Sequence, residues 1–221
     1  MPDNLDRIGQ QAIEHLSLKH AAREEALPKS RRVIRCCANS IRATHRHERA
    51  SATELIAQAH QLLREIESSL QNHQDIYYAG FVHDAQKEYA EAVCFAALTQ
   101  YQALPDAGEL GIGWAAYLNG LAEAAGELRR YLLDQLRRGN LNDCENYLQY
   151  MDDIYALLIS VDFPDAITSG LRRTTDVTRG ILEKTRGDLT TAMRQAQLQQ
   201  SIHELYQTLQ QTSSAKQSSE Q

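Results

Sequence analysis

From Ser51 the apolar positions are Ala52, Leu55, Ile56, Ala59, Leu62, Leu63, Ile66 and Leu70, spaced by three and four so that they share one helix face. The same spacing recurs along nearly the whole chain. It predicts a weaker helix from Leu5 to Leu18 and a helix from Lys19 to His47, with Pro28 as the place for a kink. A long helix follows from Asp75 to Leu104, stopped by Pro105 and the glycines at 108, 111 and 113. Another is expected from about Trp114 to Arg138, ending at Gly139 in the left-handed conformation. The stretch from Asp143 to Val161 directs Cys144, Tyr147, Leu148, Met151, Tyr155 and Leu158 to one side, and Phe163-Pro164 breaks it. A last helix begins near Ser169 and runs to about Gln210.

Composition strengthens this reading. The 221 residues include only four prolines and 11 glycines, with no glycine between Gly9 and Gly80. Alternating β-branched runs are absent, while Ala, Leu, Gln, Glu and Arg dominate. The expectation is an all-α fold, a single-domain bundle of six or seven helices over residues 1–210. The Ser- and Gln-rich residues 211–221 are expected to form a disordered tail.

Charge narrows the function classes. The chain carries 23 Lys and Arg against 29 Asp and Glu, a net −6, which excludes a uniformly basic nucleic-acid coat but not a local basic patch. Residues 23–49 hold eight Lys or Arg against three Glu, and Leu171 to Arg186 holds five basic and two acidic residues. A run of this kind is either a solvated helix face or a surface that meets anions. No apolar run reaches 18 residues, so no membrane span is expected, and MPDNLDRIGQQ has no secretory pattern. Cys36, Cys37, Cys94 and Cys144 form no CxxC pair; reduced thiols in a cytoplasmic protein are expected.

Four blocks of the sequence resemble the translin family. ALPKSRRVIRCCANSIRATHR (Ala26 to Arg46) is similar to its first long helix, and DIYYAGFVHDAQKEYAEA (Asp75 to Ala92) to the helix that carries a Glu-x-x-Glu pair in translin-associated factor X. YLNGLAEAAGELRRYLLDQLRRGN (Tyr117 to Asn140) contains the family's Gly-Glu-Leu motif, and DFPDAITSGLRRTTDVTRGILEKTRGDLT (Asp162 to Thr190) resembles the C-terminal block of prokaryotic members. The resemblance spans roughly residues 20–195. It implies an all-α protein that assembles into a hollow homo-oligomer, an octamer in the family, and binds single-stranded RNA or single-stranded DNA. Translin binds without cutting, whereas the factor-X-like subunit is a metal-dependent endoribonuclease. Translin has apolar residues where this chain keeps Glu88 and Glu91, so the factor-X-like reading is preferred.

Glu88 and Glu91 lie three apart, which places them on one helix face with Cβ atoms ~5–6 Å apart. Converging carboxylates suit a hard cation such as Mg²⁺ or Mn²⁺, and such an ion supplies what phosphodiester cleavage needs. The competing reading pairs them with Arg129 or Arg130. A third acid follows the tyrosine of the helix after Gly-Glu-Leu in the family, but here that step is Tyr155-Ala156. Asp152 and Asp153 lie one turn earlier, and Glu123 and Glu127 on the preceding helix are further candidates. Asp153 is the preferred third catalytic residue, with Glu88, Glu91, Glu127 and Asp153 as candidate metal ligands.

For nucleic acid, Arg31, Arg32, Arg35, Arg42 and Arg46 recur on one broad helix face, and guanidinium forks suit phosphate oxygens. Arg172 and Arg173 supply the second basic run. His83 matches a histidine in translin's nucleic-acid-binding stretch, and Tyr77, Tyr78 and Tyr89 are either stacking platforms or core. No GxSxG, phosphate-cradling glycine loop or HExxH occurs. Three classes remain: a metal-dependent ribonuclease, a non-catalytic nucleic-acid-binding oligomer, and a helical scaffold.

Overall fold

The computed structural model describes residues 2–141 and 143–219, with side chains for residues 4–141 and 143–211. Its elements are α1 (Pro2–His45), α2 (Arg49–Ser69), α3 (Gln74–Tyr77), α4 (Gly80–Thr99), α5 (Ala107–Leu110), α6 (Trp114–Arg137), α7 (Cys144–Ser160), α8 (Asp165–Thr168) and α9 (Leu171–Ser219). Three of these are single turns of four residues, so the bundle is built from six long helices, and no strand occurs among the described residues. None of the helices is long and apolar enough to cross a membrane.

Three boundaries differ from the sequence expectation, each for a local reason. The two expected N-terminal helices are one, because α1 passes through Pro28 without interruption. The expected helix from Asp75 to Leu104 is interrupted: Ala79 adopts extended backbone (φ −71°, ψ 150°) between α3 and α4. At its other end Tyr101 takes φ 57°, and the Gln102 N–H turns back to the Ala97 carbonyl, which closes α4 before Pro105 is reached. Gly139 does adopt the left-handed conformation, with φ 79°. The segment expected as a tail continues α9 in its backbone to Ser219, and residues 220–221 lie outside the described residues.

Helices α4 and α6 form the centre. α4 packs on α1, α2 and α6, while α6 packs on α4, α7 and α9. Phe95 from α4, Leu121, Leu128 and Leu132 from α6, Met151 from α7 and Leu189 from α9 are buried in the shared core. The sequence places Leu128, Tyr131, Leu132 and Leu133 on more than one face of α6, a spread that suggests a subunit contact; the first three are covered within the chain itself, and Leu133 is half-buried against the same core. Apolar surface is left over elsewhere. Leu5, Ile8, Ile13 and Leu16 on the first turns of α1 are exposed, as are Leu198, Ile202, Leu205 and Leu209 on α9. The four-three-four spacing of the latter set is that of a coiled-coil seam.

The approach of α6 to α4 is set by Gly120. A Cβ at this position would stand 2.4 Å from the Lys87 carbonyl oxygen, 2.7 Å from the Ala90 Cβ and 2.9 Å from the Glu91 nitrogen. Only a residue without a side chain lets the two backbones meet this closely. One turn further along α6, Glu123 is thereby carried to the acidic face of α4.

Candidate metal centre

Glu88 and Glu91 share a face of α4, and Glu123 reaches the same point from α6: one carboxylate oxygen from each lies within 4.8 Å of the others. Glu91 is buried, Glu88 and Glu123 half-buried. Neither Glu88 nor Glu91 pairs with the two arginines suggested by the sequence. Arg129 instead bonds Asp188 at 2.7 Å and the Thr185 hydroxyl at 2.9 Å, and Arg130 lies 3.7 Å from Glu127. Among the described residues the cation inside the cluster is Lys87, whose ammonium donates to Glu123 at 2.7 Å and lies 3.9 Å from Glu88. Among the described residues no side chain donates a hydrogen bond to the Glu91 carboxylate.

The electrostatics follow from that geometry. Burial, and then the like charges of Glu123, Glu88 and Glu127, push the Glu91 carboxyl up to about 8, with Lys87 opposing. Burial raises Glu88 as well; Lys87 opposes this, and Glu123 and Asp84 add to it. Burial works to lower the Lys87 ammonium, but the Glu123 hydrogen bond and charge hold it above its ordinary range. Three carboxylates crowded around one lysine leave negative charge uncompensated, and a divalent cation would neutralise it. The donors are all hard oxygens, with no cysteine or histidine in the group, so the residues fit Mg²⁺ or Mn²⁺ rather than a soft metal.

The other expected ligands are placed differently. Asp153 lies outside the cluster: it is exposed on α7, accepts a hydrogen bond from Gln149 at 2.8 Å, and borders a separate hollow with Leu98 and Leu157. Asp152 is paired with Arg186 at 2.6 Å, and Ala156 is exposed on the same helix. The face of α7 that would present these acids does not turn toward α4. Glu127 lies near enough to act on Glu91 by charge, but its carboxylate is hydrogen-bonded to the buried His45 ring. The third acid is thus Glu123, one of the further candidates on α6. Its signal in the sequence is the small residue one turn before it.

Two hollows flank the cluster, with Glu123 and Thr174 in the wall of both. The larger, about 1030 Å³, includes Tyr78, His83, Lys87 and Trp114. The smaller, about 360 Å³, holds Glu91, Glu127 and Arg173. Their common wall is held by Asn119, which is buried on α6; its amide donates to the Thr168 carbonyl at 2.9 Å, and its oxygen accepts from the Thr174 hydroxyl at 2.8 Å. His83 and Arg173 are therefore brought to the acids. Arg172, 3.6 Å from Asp162, is exposed. Tyr89 is not a surface platform, since it is buried with its hydroxyl 3.1 Å from His60 Nδ1.

Arg31, Arg32, Arg35, Arg42 and Arg46 are all exposed, but none lines either hollow. At 100° per residue, the Arg31–Arg35–Arg42 row lies roughly 160° around α1 from its buried face. That buried face includes Cys37, whose thiol is raised by burial and then by the charge of Glu88, so it is the side nearer the acids. Arg42 donates to the Asn39 side-chain oxygen Oδ1 at 2.5 Å, and Arg46 makes two 2.8 Å bonds to Glu48. On a single protomer, then, the arginine row and the acid cluster occupy opposite sides of α1.

Comparison with known proteins gives close relatives. An uncharacterised protein of Methanocaldococcus jannaschii is 32% identical over 193 residues, 86% of this chain and 85% of the relative. Among solved structures, AfC3PO in complex with duplex RNA aligns with a TM-score of 0.77 at 34% identity, covering 83% of this chain and 95% of that one. AfC3PO on its own gives 0.76 at 33% identity, over 83% and 96% of the two chains. The apo form of NeC3PO, at 22% identity, shares the fold with a TM-score of 0.74, over 87% and 98%. No protein-family model matches the chain.

Proposed function

The chain belongs to the translin family, and from that premise we propose that it is a divalent-metal-dependent endoribonuclease acting on single-stranded RNA inside a hollow assembly of its own copies. The observation that carries this reading is the convergence of Glu88, Glu91 and Glu123 from two helices onto one point. When bound, Mg²⁺ or Mn²⁺ would supply charge neutralisation at the scissile phosphate and an activated, aligned nucleophile, by making water easier to deprotonate. The chain's own part is to hold the ligands and the strand. Glu91 presents a carboxylate that no side chain among the described residues donates to, and Lys87 anchors Glu123 while bringing a positive charge beside the phosphate path. Arg173, in the wall of the smaller hollow, is placed to meet a neighbouring phosphate. The AfC3PO complex with duplex RNA supports RNA as the partner.

Ala156, in place of the family's acid, favours a non-catalytic binder. Its exposure on α7 weakens that argument, because the three glutamates do not draw a ligand from this helix. The discriminating experiment is incubation of the purified protein with labelled single-stranded and duplex RNA in Mn²⁺, in Mg²⁺ and in EDTA. Internal cleavage of the single strand with metal and none in EDTA is expected. Equal cleavage in EDTA, or intact RNA with both metals, would overturn the assignment.

Assembly is expected from the apolar ends of α1 and α9, since exposed rows of this kind require a partner. Light scattering should report a multiple of the 24.9 kDa chain, eightfold in the proposed octamer. Changing Leu198, Ile202, Leu205 and Leu209 to Ser should reduce the particle size while leaving helix content largely intact. A wild-type monomer at micromolar concentration, or an unchanged particle in the variant, would refute this.

A further inference from the structure

The larger hollow beside the acid cluster contains two big aromatic side chains that the fold does not bury. Trp114, the first residue of α6, is 61% exposed, and Tyr78, in the break between α3 and α4, is 77% exposed. Both border the hollow of about 1030 Å³ whose wall also carries Lys87 and Glu123. Each is braced by another ring rather than covered by it. Trp114 meets Tyr117 at 79° with centroids 5.8 Å apart, and Tyr78 meets Tyr77 at 84° with centroids 5.3 Å apart. Tyr77 is itself fixed, its hydroxyl accepting from the Gln86 amide at 3.0 Å. Edge-to-face bracing fixes the orientation of a ring and leaves area for a flat partner.

We propose that Trp114 and Tyr78 form a stacking platform for an unpaired nucleobase of the RNA, and that they hold the strand so that the adjoining phosphate lies at Glu88, Glu91 and Glu123. The position of the cut then rests on the nuclease reading above; the platform itself does not. The chemistry of the wall selects this occupant. A nucleobase offers a planar face to the two rings and polar edges to His83 and Gln86, which also line the hollow. Burial lowers the His83 imidazolium, so this ring meets a base edge as a neutral donor and acceptor rather than as a phosphate cation. The charged groups facing the hollow are Asp84, Lys87 and Glu123; two of the three are acidic, which disfavours a phosphate there and directs the backbone toward Lys87 and, past the acids, toward Arg173. The platform also gives a physical basis for single-strand selection. Inside a duplex both faces of each base are already stacked, so away from its two ends only an unpaired or splayed nucleotide can present one to protein.

Trp114 is the chain's only tryptophan, so its fluorescence reports on this hollow alone. The test uses the full-length protein in EDTA, titrated with single-stranded oligoadenylate, with an abasic ribose-phosphate oligomer of equal length, and with blunt duplex RNA. Quenching by oligoadenylate, with far weaker quenching by the abasic oligomer and the duplex, is expected. Trp114→Ala should lower oligoadenylate affinity roughly tenfold or more, and Trp114→Phe should recover most of it. With metal present, Trp114→Ala should raise KM more than it lowers kcat. Unchanged fluorescence at saturating oligoadenylate, or equal quenching by the abasic oligomer, would overturn the platform even if the protein cuts RNA. Base-dependent quenching in a protein that never cuts would uphold the platform and remove the nuclease reading instead.

Discussion

Replacing Glu88 and Glu91 together by Gln is expected to abolish RNA cleavage and divalent-ion binding while leaving a folded particle that still binds RNA. The substitution preserves shape and removes two of the three converging negative charges. The loss should exceed the roughly 10- to 100-fold that follows when only a ligand's hydrogen-bonding partner is removed. A thermal readout separates binding from chemistry. An ion that binds only the folded state at a hundredfold excess over its Kd stabilises by about 2.7 kcal/mol, so Mn²⁺ should raise the wild-type Tm by several degrees and leave that of the double variant unmoved. In EDTA the variant should be at least as stable as wild type, because a buried carboxylate lacking a donor and crowded by like charges is replaced by a neutral amide. Were these glutamates buried ion-pair partners, the change would instead cost ~3–5 kcal/mol for each pair broken. Neither is bonded to an arginine, so that outcome is not expected. A stable variant that cuts RNA at the wild-type rate in Mn²⁺ would remove the assignment.

Gly120→Ala should damage the same site without touching a ligand. The added methyl would lie 2.4 Å from a backbone carbonyl and 2.9 Å from a backbone nitrogen of α4, and neither atom can rotate away as a flexible side chain would. Helix α6 must therefore shift off α4. Overpacking of this kind costs about 1–3 kcal/mol, occasionally more, or roughly 2–4 °C of Tm per kcal/mol for a chain of this size. The shift carries Glu123 with it, so metal affinity should fall in proportion to the distortion. The control is Gly180→Ala on α9, where a Cβ meets nothing within 4 Å. There the gain in helix propensity, about 0.5–1 kcal/mol, should stabilise the protein slightly. If Gly120→Ala melts and binds Mn²⁺ like wild type, the close crossing does not position the site.

Half of the candidate site is legible in the sequence. Glu88 and Glu91 could be paired from spacing, because two residues three apart on one helix share a face whatever that helix packs against. Glu123 could not be singled out in the same way. It is 32 residues from Glu91 in the chain, and its arrival depends on the distance and axial register of two crossing helices, neither of which a periodicity records. Reading α7 instead gave Asp153, whose local pattern is as acidic as that of α6. What differs is the closeness of α6 to α4 at Gly120 and the outward turn of the α7 acids, both products of packing.

By itself, then, the sequence determined the all-α class, the position of most of the long helices, the paired glutamates and the family resemblance, because helix formation and face sharing are short-range consequences of spacing and propensity. Tertiary structure alone decided the remainder. It opened the break at Ala79 that exposes Tyr78, chose Glu123 over Asp153, and set the arginine row on the far side of α1 from the acids. It also buried Leu128, Tyr131 and Leu132 inside the chain while leaving the ends of α1 and α9 uncovered. The physical reason is common to all of these. Which faces meet is settled by the competition of every apolar surface for the one core, and that competition is a property of the whole chain rather than of any window along it.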